Sequence, residues 1–182
     1  MRRLGATRPP LVVVMGVSGC GKSTVGLLLA NTLDATYIEG DDLHSQENVE
    51  RMRAGIALND AQRRDWLQAL ADHLATAHDQ GRPLVVSCSA LKRVYRDLLR
   101  GGAPELRLVH LHGTRDVLAA RSAQREGHYM PVSLLDSQIA TLEPPGADEN
   151  VLTFDVTQAP QEIVQQTVAA LTGSGALPVF PH

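Results

Sequence analysis

The sequence predicts an α/β fold, a parallel five-stranded sheet with helices on both faces, built as one domain over residues 1–182. Three observations point there. Five short apolar runs recur along the chain, and near-continuous apolar character is what a strand covered on both faces requires. Longer segments with apolar residues three and four apart separate them, the period of a helix lying on a sheet. The first run opens directly onto a glycine-rich turn, in the region beyond the strand ends where such sheets bind ligands.

Leu11 to Met15 (LVVVM) is the first strand, and the stripe Val25, Leu28, Leu29, Thr32 and Leu33 marks the first helix. Thr36 to Glu39 is the second strand, after which Ser45 is placed to cap a helix running through Met52. Asn59 with Gln62 three residues on makes a capping-box pattern ahead of the stripe Trp66, Leu67, Leu70, Ala71 and Leu74. Further strands are expected at Leu84 to Cys88, Leu106 to Leu111 and Val151 to Asp155, and Pro131 and Pro160 suit first helical positions. Thr172 to His182 is interrupted by Gly and Pro and reads as a tail.

Composition narrows the partners. A formal charge of -3 and an aromatic content of 3% offer neither the basic field nor the stacking platforms of nucleic-acid binding, so no nucleic-acid partner is expected. The run 11–15 is far too short to span a bilayer and the first ten residues lack a signal-peptide core, which predicts a cytoplasmic protein without a membrane partner. Two cysteines, Cys20 and Cys88, without CxxC spacing suggest neither a disulfide framework nor a zinc site.

After the first strand comes Gly16, Val17, Ser18, Gly19, Cys20, Gly21, Lys22, Ser23, Thr24, which fits G-x-x-x-x-G-K-[ST] throughout. Such a loop turns successive backbone N–H groups inward onto phosphate oxygens, while the following helix presents its positive end. Lys22 is expected on the β and γ phosphates of ATP, the Ser23 hydroxyl on Mg2+, and Cys20 as a small loop filler. The N-K-x-D signature of guanine-specific switches is missing, and the strands ending at Cys88 and Leu111 lack the acid of motor and AAA-type ATPases. Acids cluster instead after the second strand, as Glu39, Asp41 and Asp42. A carboxylate there, across the crevice from the loop, can orient or deprotonate a substrate hydroxyl in line with the γ phosphate, which suits a small-molecule kinase.

The chain resembles the gluconate kinases of the P-loop small-kinase group, which share their architecture with shikimate and adenylate kinases. The resemblance runs through MGVSGCGKST at 15–24, GDDLH at 40–44, LND at 58–60, CSALKRVYRDLLR at 88–100, GHYMP at 127–131 and SQIATLEPPGADE at 137–149. It implies phosphorylation of D-gluconate at its C6 hydroxyl, with ATP and magnesium, and a homodimer. Asp41 is then the residue that binds the substrate hydroxyl and acts as general base, with Asp42 as the alternative, and His44 bonds sugar-acid hydroxyls. Glu39, where a shorter Asp is expected, belongs near the magnesium. Arg63 stands where shikimate kinases keep a carboxylate-binding arginine, and Lys92 is the second candidate for the substrate carboxylate. Arg121 would stack on adenine, and Arg125, on a lid over residues 121–142, would touch the transferring phosphate. His128 would meet substrate when that lid closes. Arg93 and Arg96 are expected to face water or pair with Asp97, and Trp66 to belong to the core. The alternatives are a related small-molecule kinase, shikimate-type or for another sugar acid or polyol, and a nucleotide-dependent switch.

Overall fold

Alternation along a single strand divides the interior in two. The computed structural model describes residues 8–124 and 131–173. Five strands, β1 (Leu11–Met15), β2 (Thr36–Glu39), β3 (Leu84–Ser87), β4 (Arg107–His112) and β5 (Val151–Asp155), form one sheet in the order β2-β3-β1-β4-β5. All four pairings are parallel. Around them lie α1 (Lys22–Thr32), α2 (Gln46–Arg53), α3 (Asp60–Asp79), α4 (Arg93–Gly101), α5 (Arg115–Ala123), α6 (Val132–Thr141) and α7 (Pro160–Thr172).

On β1, Leu11, Val13 and Met15 pack with Trp66, Leu67, Leu70 and Leu74 of α3 and with Tyr95 and Leu99 of α4. Val12 and Val14 point the other way, onto Val25 and Leu29 of α1, Leu118 of α5, Leu135 of α6 and Ile163 and Val164 of α7. Every residue of β1 is buried, so the unbroken apolar run serves two cores at once. Each such side chain contributes roughly 1.5–3 kcal/mol by leaving water.

The start signals operate as the chemistry requires. Ser45 Oγ accepts the Asn48 N–H at 3.2 Å, and Asn59 and Gln62 exchange side-chain-to-backbone bonds of 2.9 and 3.0 Å. Pro160 occupies the first turn of α7, whereas Pro131 stands one residue before α6, as its cap, because its ψ of 144° is extended. β3 stops at Ser87: Cys88 still donates to the Val14 carbonyl, but Ala90, at φ +43°, turns the chain toward α4. β4 begins one residue later than expected, since the Leu106 N–H closes a turn onto the Ala103 carbonyl. Register sets Val14 and Glu39 beside Ser87, bringing the ends of β1, β2 and β3 to one edge. Among the described residues no helix is long and apolar enough to cross a membrane.

Candidate active site

The loop between β1 and α1 is shaped by glycine where nothing else fits. Gly16, at φ +146°, would place a Cβ 2.5 Å from the Leu111 carbonyl, and Gly19, at φ +80°, would place one 2.7 Å from the Leu118 carbonyl. The Gly16 N–H donates to the Ser89 carbonyl at 3.3 Å, fastening the loop to the turn after β3. α1 starts from Gly21 without a side-chain cap, so its first N–H groups remain available to an anion. Lys22 Nζ donates to the Val17 carbonyl at 3.1 Å, holding its charge over the loop, and Cys20 is buried as filler.

At the end of β2 the Glu39 carboxylate accepts from Ser87 Oγ at 2.6 Å and from the Tyr37 hydroxyl at 2.9 Å, and it faces Ser23. Burial alone would raise its pKa. The hydrogen bonds from Ser23, Ser87 and Tyr37 together with the Lys22 charge outweigh that and hold it below the usual carboxylate range. Burial and the neighbouring Glu39 in turn push the Tyr37 hydroxyl up to about 12. Magnesium bound chiefly through nucleotide phosphates needs only one or two protein oxygens. The Ser23 hydroxyl and the ionised Glu39 fit that requirement, although no cluster of three or more His, Cys, Asp or Glu suited to a metal occurs among the described residues.

Beyond Glu39 the chain makes a 3-10 turn, Gly40–Leu43, pressed so close to β3 that a side chain at Gly40 would strike the Ser87 carbonyl. Trp66 Nε1 donates to the Gly40 carbonyl at 2.7 Å and anchors that turn to α3. Asp41 and Asp42 emerge from it onto the wall of a cavity of about 710 Å³ that is shared with Ser18, Lys22 and Ser23. The Asp41 charge bears on both His44 and the Cys88 thiol. Burial pushes that thiol up to about 12, which keeps it protonated.

His44 stacks on Trp66 with ring centroids 4.2 Å apart, so the core tryptophan is also cavity wall. Burial holds the imidazole below its usual pKa, Arg63 adding to the effect and Asp41 opposing it. Its Nδ1 is buried without a partner among the described residues. Arg63 is only 9% exposed, lines the same cavity, and forms no ion pair among the described residues. A buried guanidinium left in this state invites an anion.

Not every expected residue arrives at this cavity. Lys92 lies in an adjoining cleft, where Asp60 takes its ammonium at 2.9 and 3.0 Å. Tyr95 also donates to Asp60, and the two donors hold that carboxyl below its ordinary pKa. Arg121 sits beside Gly21 of the phosphate loop, with its Nη2 donating to the Val156 carbonyl in the turn after β5. Thr24 is exposed behind the loop. Arg125 and His128 lie outside the described residues, as does the tail beyond Gly173.

One expectation is corrected. Arg93 does reach Asp97, at 3.8 Å, and Asp148, at 2.6 Å, but Arg96 neither faces water nor meets Asp97. It is fully buried, its Nε and Nη2 bonding Glu149 at 2.6 and 2.8 Å and its Nη1 bonding the Ala90 and Leu91 carbonyls. The cause is packing: α3 and the turn before β5 enclose that face of α4, and Glu149 compensates the charge. Further residues join the cavity unannounced, among them Arg53 of α2, Ser122 of α5 and Gln138 of α6.

The comparisons with known proteins agree with this geometry. A family model described as an AAA domain matches residues 11–145. The thermoresistant gluconokinase of Escherichia coli (strain K12) is 42% identical over 162 residues, covering 88% of this chain and 93% of that protein. The gluconokinase of Gluconobacter oxydans (strain 621H) is 45% identical, covering 88% and 90%. A crystal structure of a gluconokinase from Sinorhizobium meliloti 1021 superposes with a TM-score of 0.83 at 47% identity, covering 92% and 94%. With a phosphate loop after β1, acids after β2 and relatives alike over nearly their whole length, the chain belongs to the gluconokinase family of P-loop kinases.

Proposed function

We propose that the protein is a gluconokinase, transferring the γ-phosphoryl group of ATP to the C6 hydroxyl of D-gluconate to give 6-phospho-D-gluconate and ADP. The observation that carries the choice of acceptor is Arg63: a buried guanidinium without an acidic partner among the described residues, in the wall of the cavity that holds Asp41 and Lys22. A sugar acid brings the missing carboxylate, and burial makes that pairing stronger than one at the surface.

The loop N–H groups within residues 16–24 that are not engaged, those of Gly16, Ser18 and Cys20 being taken, would hold the triphosphate together with Lys22. Ser23, with Glu39 nearby, would hold magnesium, which when bound would neutralise charge on the phosphates. His44, whose side chain lines the cavity, would bond a sugar hydroxyl. Asp41 takes the proton of the acceptor hydroxyl as its oxygen bonds to Pγ, and the bond from Pγ to the β–γ bridging oxygen breaks, that oxygen leaving with ADP. Both acids line the cavity, and family resemblance places Asp41 ahead of Asp42 for this role. Arg121 covers adenine beside the turn after β5, where a guanidinium can stack on a purine in a chain with few aromatics. Lys92, engaged by Asp60, is the outer of the two cations and stands second to Arg63. Arg125 and His128 are assigned by family resemblance to a lid over 121–142, whose α6 part is seated on the core through Leu134 and Leu135; a homodimer rests on the same resemblance, and a cytoplasmic location is part of this proposal.

Purified protein is expected to consume ATP when D-gluconate is added. Turnover with shikimate or a nucleoside monophosphate in its place overturns the reading, and ATP hydrolysis indifferent to any acceptor favours a nucleotide switch. Asp41→Asn should lower kcat by about 10²–10⁴-fold with ATP affinity nearly unchanged, measured by coupled assay and nucleotide titration; near-normal turnover transfers the role to Asp42.

A further inference from the structure

The segment 137–149 is part of the family resemblance, yet the mechanism above uses none of it. Within it, Gln138 of α6 reaches back to the phosphate loop. Its Oε1 accepts the Ser18 N–H at 2.7 Å, across 120 residues of sequence, and its side chain lines the cavity.

The chemistry of the carboxamide fixes its orientation. The Ser18 N–H is a donor, so the oxygen must face it and the NH2 must face away. That NH2 has no hydrogen-bond partner among the described residues. The place matters as well. Lys22 Nζ rests on the Val17 carbonyl, which belongs to the same peptide as the Ser18 N–H, so Gln138 and the lysine that reaches the terminal phosphates hold opposite edges of one peptide group. Asp41, His44 and Arg63 line the same cavity.

The residue is also held before any ligand enters. Leu134 and Leu135 bury α6 against the core, and Arg115 grips Asp136 with bonds of 2.6 and 3.0 Å. Past the helix end, the Glu143 N–H donates to the Leu91 carbonyl and the Glu143 carboxylate accepts the Arg93 N–H. A donor fixed in advance beside a reacting group needs little reorganisation during the reaction.

We propose that Gln138 is a catalytic residue: anchored through Oε1 to the Ser18 N–H, it donates from Nε2 to the γ-phosphoryl group as that group passes to the acceptor. A neutral donor suits the place, since it adds a hydrogen bond to the charge in transit without tightening the hold on ADP through a further full charge. The acceptor half of this statement rests on the gluconokinase reading; the contact with phosphate does not.

Two variants separate the donor from a mere brace for the loop. Gln138→Met removes both halves of the carboxamide, and Gln138→Glu keeps an acceptor for Ser18 while removing the donor. Both should lower kcat by about 10²-fold, the loss of one donor aimed at developing charge, with KM for gluconate and the melting temperature held near those of the parent protein. A brace predicts the opposite split: Met lowers the melting temperature and ATP affinity, and Glu restores both along with kcat. Either variant turning over within threefold of the parent overturns the proposal, and if Met loses stability the Glu variant decides. Should the parent protein fail to phosphorylate gluconate, the functional reading falls, and Gln138 is judged by the slow transfer from ATP to water, where the same loss is expected and an unchanged rate refutes it.

Discussion

Arg93 and Arg96 stand about one turn apart on α4 and reach for acids adjacent in the chain, Asp148 and Glu149, yet the two pairs live in different media. The Arg93–Asp148 pair, at 2.6 Å, leaves its side chains 49% and 62% exposed; Arg96 and Glu149, also at 2.6 Å, are exposed by 0% and 2%. Distance alone therefore says little about what each does. In water an ion pair gains little and is screened by salt, whereas a buried pair traps charges that nothing else can satisfy if one partner is lost. The inner pair also has more to hold. Arg96 bonds the Ala90 and Leu91 carbonyls, Arg100 donates to both the carboxylate and the carbonyl of Glu149, and the Gly146 N–H closes on the same carboxylate. Ser89, the neighbour of Ala90, accepts the N–H of Gly16, so the inner pair reaches within two links of the phosphate loop.

Removing half of the inner pair should have the largest effect. Arg96→Ala or Glu149→Ala is expected to cost about 3–5 kcal/mol, by analogy with other broken buried pairs, measured by denaturant unfolding; a loss under 1 kcal/mol would make the two pairs equivalent. Acid should reveal the same asymmetry more gently. Arg96 first, against the opposing effect of burial, draws the Glu149 pKa down from the ordinary 4.5 to about 2. A depressed carboxylate contributes stability that is fully present above the ordinary value and is lost as pH falls toward the folded one. Stability should thus decline between about pH 4.5 and 2 through this residue, and Glu149→Gln should flatten that part of the profile; an unchanged acid limb contradicts the assignment. The smallest effect belongs to the surface: Arg93→Ala should change stability far less than either inner-pair variant, and its effect should shrink further in high salt. A larger, salt-insensitive loss would erase the contrast.

What the sequence made legible was local. LVVVM announces a strand buried on both faces because its neighbours along the chain already say so, and the phosphate loop is a run of nine residues whose glycines and lysine act together. Asn59 and Gln62 cap α3 across three residues, and Asp41 follows its strand by two. What escaped was set by contacts distant in sequence. Arg96 has the composition of a surface residue, and only Glu149, 53 residues away, explains its burial. Lys92 is drawn to Asp60 across 32 residues, and Gln138 meets Ser18 across 120. No periodicity on α4 or α6 encodes those partners, since each depends on which turns the sheet brings to one edge. Trp66 shows the intermediate case, a core residue by its spacing that proves also to be wall, because the indole presents one face to His44.

That wall has an optical consequence. Trp66 is the sole tryptophan of the chain, so essentially all the emission excited at the red edge of protein absorption comes from one indole. Stacked on His44 and bonded to the carbonyl of Gly40, it touches both the imidazole assigned to the sugar hydroxyls and the turn that carries Asp41. The molecule thus carries its own label at the acceptor end of the cavity, while the phosphate loop, supplied with neither Trp nor Tyr, stays dark.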